Sequence, residues 1–237
     1  MKTPLADRIR PKTLDEVVGQ KHLIGEGKIL RNIIENDEVP NMIFYGPSGV
    51  GKTTIANIIA QKTGKTLHRL NATTASVADI KNIVSTLDSF LAMDGVLMYL
   101  DEIQHFNKKQ QQSLLEFMEN GKITLIASTT ENPYFEVNSA LISRSIVFEL
   151  KSLEKKDIDK LLLRAVSDTE KGMGAYGAVL DDDAREFLSD IAGGDARAAL
   201  NALELAILTT EKSEDGKIHI TLEVASECIQ KRVVRYD

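Results

Sequence analysis

Gly46-Pro47-Ser48-Gly49-Val50-Gly51-Lys52-Thr53, with Thr54 next in line, is a G-x-x-x-x-G-K-T loop, and its setting makes it decisive. Before it, Met42-Ile43-Phe44-Tyr45 reads as a buried strand; after it, Ile55, Ile58 and Ile59 recur at helical spacing. Glycines at these positions let the backbone wrap so that its N–H groups point inward, and the helix that opens near Lys52 adds the positive end of its dipole. Such a cradle is built for polyphosphate. Lys52 is expected to reach the β- and γ-phosphates and Thr53 to ligate Mg²⁺, so the implied ligands are ATP/ADP and Mg²⁺.

Working outward, strand and helix patterns alternate from about Asn41 to Leu150, which predicts an α/β unit with a mostly parallel sheet covered on both faces. Five strands are expected, at Asn41 to Tyr45, Thr66 to Leu70, Val96 to Leu100, Ile123 to Ser128 and Ile146 to Leu150. Between them, Val77, Ile80, Ile83, Val84, Leu87 and Leu91 form one apolar helical stripe and Leu114, Leu115 and Met118 another. Beyond Lys151 the strand signals fade, and helices are expected near Glu154 to Thr169, Asp182 to Ile191, Arg197 to Thr210 and Leu222 to Lys231. The chain therefore divides into a nucleotide-binding α/β domain over 1–150 and a small all-helical lid domain over 151–237. The glycine-containing loop from Lys171 to Gly177 follows no strand and has no phosphate role.

Composition sets limits. The 237 residues are enough for a sizeable core, with 43% hydrophobic and 27% charged residues. A net charge of −6 gives no bulk attraction to nucleic acid, so any DNA contact needs a local basic patch or assembly into a ring. Lys62, Lys65, Arg69, Lys108 and Lys109 are the basic residues to weigh for a DNA backbone, against the alternative of a solvated face. The single cysteine, Cys228, excludes an internal disulfide and fits a reducing compartment. No apolar run approaches a membrane span and the first residues carry no signal-peptide core, so no membrane association and a cytoplasmic location are expected, nucleoid-associated if the source is bacterial.

A second chemical cluster ends the third expected strand. In Val96-Leu97-Met98-Tyr99-Leu100-Asp101-Glu102 two adjacent carboxylates point to opposite sides, so they cannot share one task. If Asp101 faces the phosphate loop it holds Mg²⁺ beside Thr53, which leaves Glu102 to polarise water for attack on the γ-phosphate. The run Ser128-Thr129-Thr130-Glu131-Asn132 follows the fourth strand, where ligand-contacting groups of a parallel sheet gather. Thr130 is the expected phosphate or water contact, with Thr129 the alternative. Arg144, before the fifth strand, and Arg197, at a helix start in Gly193-Gly194-Asp195-Ala196-Arg197, either stabilise charge on a transferring phosphate or form surface ion pairs.

Together these pieces resemble an AAA+ ATPase. The segment from Leu5 to Gln20 is similar to the opening segment of the clamp-loader and branch-migration groups. The run Thr129-Thr130-Glu131-Asn132-Pro133-Tyr134-Phe135-Glu136-Val137-Asn138-Ser139-Ala140-Leu141-Ile142-Ser143-Arg144 resembles the replication-associated recombination protein A family (RarA, also called MgsA), to which the eukaryotic Werner-helicase-interacting ATPase is related. The resemblance spans essentially the whole chain. It implies Lys52 and Thr53 as phosphate and Mg²⁺ contacts, Asp101 as the Mg²⁺ partner, Glu102 as the base, Thr130 as first sensor and Arg197 as second sensor on the lid. Arg144 becomes a finger given in trans to a neighbouring subunit, and Arg10, Pro11, Val18 and Gly19 line an adenine pocket.

The same resemblance implies ATP hydrolysis coupled to remodelling of DNA or protein–DNA complexes at stalled or damaged replication forks. Its partners would be DNA with single-stranded ends, gaps or forks, replication proteins such as single-strand binding protein, and further copies of the chain in a homo-oligomer. The alternatives are a clamp-loader or Holliday-junction motor subunit and a scaffold that binds ATP without turning it over. Two departures stand out. Where the family commonly reads His-Arg-Phe-Asn after the acidic pair and one apolar residue, this chain reads Gln104-His105-Phe106-Asn107, so His105 inherits no catalytic role. At Lys231 to Asp237 the sequence stops where the family continues into a helical oligomerisation region.

Overall fold

The computed structural model describes residues 3–86, 96–119, 121 and 123–233. Leu87 and Leu91 of the expected stripe, and the last residues from 234 onward, lie outside them. In chain order the first unit contains α1 (Leu5–Arg8), α2 (Lys21–Ile24), α3 (Ile29–Glu35), β1 (Met42–Tyr45), α4 (Lys52–Thr63), β2 (Thr66–Asn71), α5 (Val77–Thr86) and β3 (Val96–Asp101). It continues with α6 (Lys108–Glu119), β4 (Ile123–Thr129), α7 (Pro133–Glu136), α8 (Ser139–Ile142) and β5 (Ile146–Glu149). The second unit holds α9 (Lys155–Ser167), β6 (Ala178–Leu180), α10 (Asp182–Ile191), α11 (Ala196–Thr209), β7 (Ile218–Ile220) and α12 (Leu222–Val233).

The five-stranded parallel sheet runs in the order β2-β3-β4-β1-β5, as the alternation of patterns predicts, with strand ends within a residue or two of expectation. Strand parity sorts the core into two layers. Met42, Phe44, Leu97 and Tyr99 face a cluster with Ile55 and Ile59 of α4, whereas Ile43, Met98 and Leu100 face one with Leu114 of α6 and Leu141 of α8. Because helices cover both faces, β1, β3 and β4 are largely buried on both sides, while β2 at the edge has only exposed and half-buried residues. The switch in strand order lies between β1 and β3, where β4 intervenes, and the carboxyl ends of β1, β3 and β4 open on one crevice.

The second unit departs from the all-helical expectation in one respect. β6 and β7 pair in parallel as a two-stranded sheet, Val179 opposite His219, beside the four helices. Its core also reaches back across the expected boundary: Leu5 and Ile9 pack with Leu162, Leu188 and Leu203 rather than with the large sheet. The N-terminal helix thus belongs by packing with the lid.

Gln20 fastens the two units. Its Nε2 donates to the carbonyls of Val50 (3.2 Å) and Lys151 (2.7 Å), and its Oε1 accepts from the Lys151 N–H (3.0 Å). This buried amide spans the opening segment, the phosphate loop and the start of the connection to the lid. Replacing Gln20 by Ala leaves buried backbone groups unpaired, at an expected cost of about 2 kcal/mol. The result should be a lower urea midpoint with an unchanged slope; an unmoved midpoint would show that solvent replaces the clasp at no cost.

Candidate functional site

β1 delivers the chain into the phosphate loop through Gly46, whose N–H donates to the Thr129 carbonyl (3.2 Å). With φ at +146°, and with any Cβ placed 2.1 Å from the Leu150 carbonyl oxygen, this position admits glycine alone. The loop closes at Gly51, a left-handed N-cap, and α4 begins at Lys52. The Lys52 ammonium is turned inward at 8% exposure, donating to the carbonyls of Gly46 (2.6 Å) and Pro47 (2.8 Å). Burial lowers its pKa; the nearby Glu102 and Asp101 charges oppose that shift, Arg197 adds to it and Asp195 opposes it.

The end of β3 supplies the carboxylates. Tyr99 and Asp101, two residues apart, share the face toward α4. The Tyr99 hydroxyl lies 3.0 Å from Thr53 Oγ1, donates to Ser128 Oγ at 2.9 Å and stands 3.3 Å from Asp101 Oδ1. Ser128 Oγ in turn donates to Asp101 Oδ1. Burial, then the Asp101 charge, push the Tyr99 phenol up to about 12, so it keeps its proton at neutral pH. Glu102 departs from the strand with φ at +56°, and the Gln104 Nε2 donates to its Oε2. Among the described residues, Gln104 Oε1 is a buried acceptor without a hydrogen-bond partner.

These groups border one cavity. Its polar wall is residues 48–54 of the loop and helix start, Asp101, Glu102 and Arg197; its apolar wall is formed by Ile9, Pro11, Val18, Leu153, Leu161 and Leu200. Arg10 also lines it and pairs with Asp7. The lid meets the phosphate loop directly: the Ala196 N–H, at the start of α11, donates to the Gly49 carbonyl (3.2 Å). Asp195 caps α11 through the Ala198 N–H and sits so close to Gly49 that a Cβ there would fall 1.9 Å from its Oδ1.

Five sequence candidates stand outside this cavity lining: Gly19, Thr130, Arg144, Gly46 and Pro47. Gly19 packs against Leu153 instead, leaving only 2.6 Å between a hypothetical Cβ and the Leu153 side chain. Thr130 is exposed, whereas Thr129 is buried and its Oγ1 accepts from the Glu131 N–H. Arg144, between α8 and β5, is exposed and paired with Glu119 of α6 at 2.9 Å. Gly46 and Pro47 contribute through their carbonyls rather than by lining the cavity. Tyr99, Ser128, Gln104 and Asp195 are additions the sequence reading did not select; only the shared parity of Tyr99 and Asp101 signalled any of them. Of the basic residues weighed for DNA, Arg69 bonds Asn57 and Lys65 bonds Thr124.

Residues 9–136 match the family described as the Holliday junction DNA helicase RuvB P-loop domain, and residues 174–237 match an AAA C-terminal domain. The chain belongs to the AAA+ P-loop family. Among its relatives, the replication-associated recombination protein A of Bacillus subtilis is 43% identical over 99% of this chain and 55% of that protein. The protein of the same name from Escherichia coli K12 is 40% identical, over 99% and 53%. ATPase WRNIP1 of Dictyostelium discoideum is 38% identical, over 90% and 24%. The chain spans about half the length of the recombination proteins it matches. In three dimensions it is similar to the Thermotoga maritima RuvB Holliday junction branch migration motor, with a TM-score of 0.74, 25% identity and coverage of 94% and 73%.

The AAA+ fold is a nucleotide-binding one, and the residues present fit a nucleoside triphosphate with its cation. Among the described residues the buried ammonium hydrogen-bonds only neutral carbonyls, with Glu102 and Asp101 acting on it through space, and Thr53 and Asp101 offer the hard oxygen donors that suit Mg²⁺. Replacing Lys52 by Met should separate the two roles of that ammonium. Unfolding stability without nucleotide should stay within about 1 kcal/mol, because removing a desolvated charge offsets its lost hydrogen bonds. ATP affinity, read by calorimetry, should fall roughly 100-fold or more; retained affinity would remove Lys52 from phosphate binding.

Proposed function

We propose that the chain is the ATPase core of a machine that remodels DNA or protein–DNA complexes at stalled or damaged replication forks. The observation that carries this reading is the convergence of Lys52, Thr53, Asp101, Glu102 and Arg197 on one cavity beneath the lid. Lys52 and Arg197 hold the terminal phosphates of bound ATP, one from the sheet domain and one from α11. Thr53 and Asp101 hold Mg²⁺, which supplies charge neutralisation at the phosphate oxygens. Glu102, released from Gln104, orients the attacking water and takes its proton. The apolar wall and Arg10, Pro11 and Val18 receive the base. Thr130 contacts the terminal phosphate only after a shift of the loop beyond β4, with Thr129 fixing that loop.

Because the lid touches the loop through Gly49, loss of the γ-phosphate changes what Arg197 and Ala196 can hold, and lid position follows nucleotide state. Energy transfer is the difference in ATP and ADP affinity between the lid positions. Arg144, remote from its own cavity, serves the site of a neighbouring copy, so turnover depends on assembly. The fork substrate, with single-stranded ends or gaps, single-strand binding protein as a partner and a cytoplasmic, nucleoid-associated setting rest on the names of the recombination-protein relatives. No helix among the described residues is long and apolar enough to cross a membrane. The similarity to the branch migration motor supports the same fold, but the recombination proteins, at about 40% identity over the whole chain, support the reading taken here.

Glu102→Gln should retain ATP binding and lower turnover by roughly 100-fold or more. In a phosphate-release assay with and without forked DNA, normal turnover of that variant would remove Glu102 from the role of base, and absence of turnover in the unaltered chain would favour a scaffold. Arg144→Ala should also lose turnover while binding ATP normally. Mixing it with Glu102→Gln should restore part of the activity, because each variant supplies what the other lacks at a shared interface. No recovery under conditions of co-assembly would place Arg144 outside the neighbour's site.

A further inference from the structure

The face of β3 that carries Asp101 is otherwise apolar, so a hydroxyl brought there by Tyr99 is an expensive group to bury without partners. It has three. Counting protons fixes the direction of the hydrogen bonds. Ser128 spends its one proton on Asp101 Oδ1, and Tyr99 spends its own on Ser128 Oγ at 2.9 Å or on Asp101 Oδ1 at 3.3 Å; either way Tyr99 has no proton left for Thr53, so the 3.0 Å contact between them is a bond in which Thr53 donates. The result is a directed relay from Thr53 through Tyr99 and Ser128 to the Asp101 carboxylate, with Ser128 and Tyr99 both buried.

That direction has a chemical consequence. A threonine hydroxyl that ligates a cation does so with an oxygen lone pair, and its proton must point elsewhere. Here the proton already points at Tyr99, so the lone pairs of Thr53 are left for the cation. Asp101 meanwhile uses Oδ1 for the relay, which leaves Oδ2 for a cation or its water shell. The same four side chains also tie the first residues of α4 to the ends of β3 and β4, so the two proposed cation donors are held in one frame.

We propose that Tyr99 and Ser128 are positioning residues for the divalent cation: their hydroxyl relay orients Thr53 and Asp101 toward it before it binds. This rests on the reading of Thr53 and Asp101 as the cation's ligands. Outer partners of metal ligands commonly affect affinity by roughly 10- to 100-fold. The relay therefore predicts an effect on cation affinity that is separable from nucleotide affinity. Tyr99 and Ser128 are not themselves in the cavity lining and reach it through Thr53 and Asp101.

The test is binding of a fluorescent N-methylanthraniloyl ADP to the full chain while free Mg²⁺ is varied from chelated to millimolar. For Tyr99→Phe, which keeps the ring that fills the core, ADP affinity without Mg²⁺ should match the unaltered chain, and the Mg²⁺ midpoint should rise roughly tenfold. Ser128→Ala should shift the midpoint in the same direction, and the double variant should shift it by less than the product of the two, as members of one relay do. An unchanged midpoint in Tyr99→Phe overturns the proposal, as does an equal loss of ADP affinity with and without Mg²⁺, which is the mark of a merely structural defect. Should the unaltered chain bind ADP with no Mg²⁺ dependence at all, the assignment of Thr53 and Asp101 falls, and the relay's role with it.

Discussion

A lysine ammonium held inside a protein is costly, and Lys52 is held there by the backbone of its own loop. The helix beginning at Gly51 fixes where the side chain starts, and the wrap from Gly46 to Pro47 presents the two carbonyls that receive it. Removing a charge from water costs several kcal/mol even after relaxation, so two neutral acceptors are a holding arrangement rather than full compensation. Everything else at the site is placed with respect to that charge. Asp101 and Glu102 favour it from the end of β3, and Arg197 opposes it from the lid. A polyphosphate is the partner that settles both cations at once, which is why the loop, the carboxylates and the lid are organised around one crevice.

The lid is therefore part of the site. Among the described hydrogen bonds, two links join it to the sheet domain close to the loop: the Gln20 clasp and the Ala196 bond to the Gly49 carbonyl. Gly49 and Gly46 each lack room for a side chain, the first because of Asp195 on the lid and the second because of Leu150 at the exit of β5. Gly46 of the motif and Gly49 inside the loop thus serve fold and lid contact as well as phosphate approach. The packing of Leu5 and Ile9 into the lid core places Arg10, Pro11 and Val18 along the same seam, so whatever fills the apolar wall of the cavity is sensed by both units.

How much of this was legible in the sequence depended on how local the signal was. The phosphate loop, the apolar strands and the Asp101-Glu102 pair announce themselves within a few residues, and the sheet formed as expected. β6 and β7 span only three residues each and pair across a long stretch of chain, so neither offers enough alternation to register. Tyr99 was hidden for the opposite reason: in a strand made of apolar residues an aromatic reads as core, and its hydroxyl acquires meaning only when Ser128 and Thr53 arrive from β4 and α4. Thr130 was chosen by position at a strand end, yet the chain turns there so that Thr129 faces inward. The place of Gly19 at the lid seam, not the cavity, follows from long-range packing that no local pattern encodes.

Two of the groups proposed to act in hydrolysis, Glu102 and Arg144, are engaged elsewhere in the protomer, and those engagements differ in kind. The Arg144–Glu119 pair has side chains 44% and 55% exposed, and exposed pairs of this kind contribute about 0–1 kcal/mol. It keeps the guanidinium oriented at the surface, and giving it up costs little. Gln104 holds Glu102 from a partly buried site, and its own Oε1 has no hydrogen-bond partner among the described residues. Buried amide groups that lack one partner gain by moving to a place where both are satisfied. Rearrangement at Gln104 is therefore favoured once a better partner arrives, and in the proposed cycle the release of Glu102 is a condition local to the protomer whereas that of Arg144 depends on assembly.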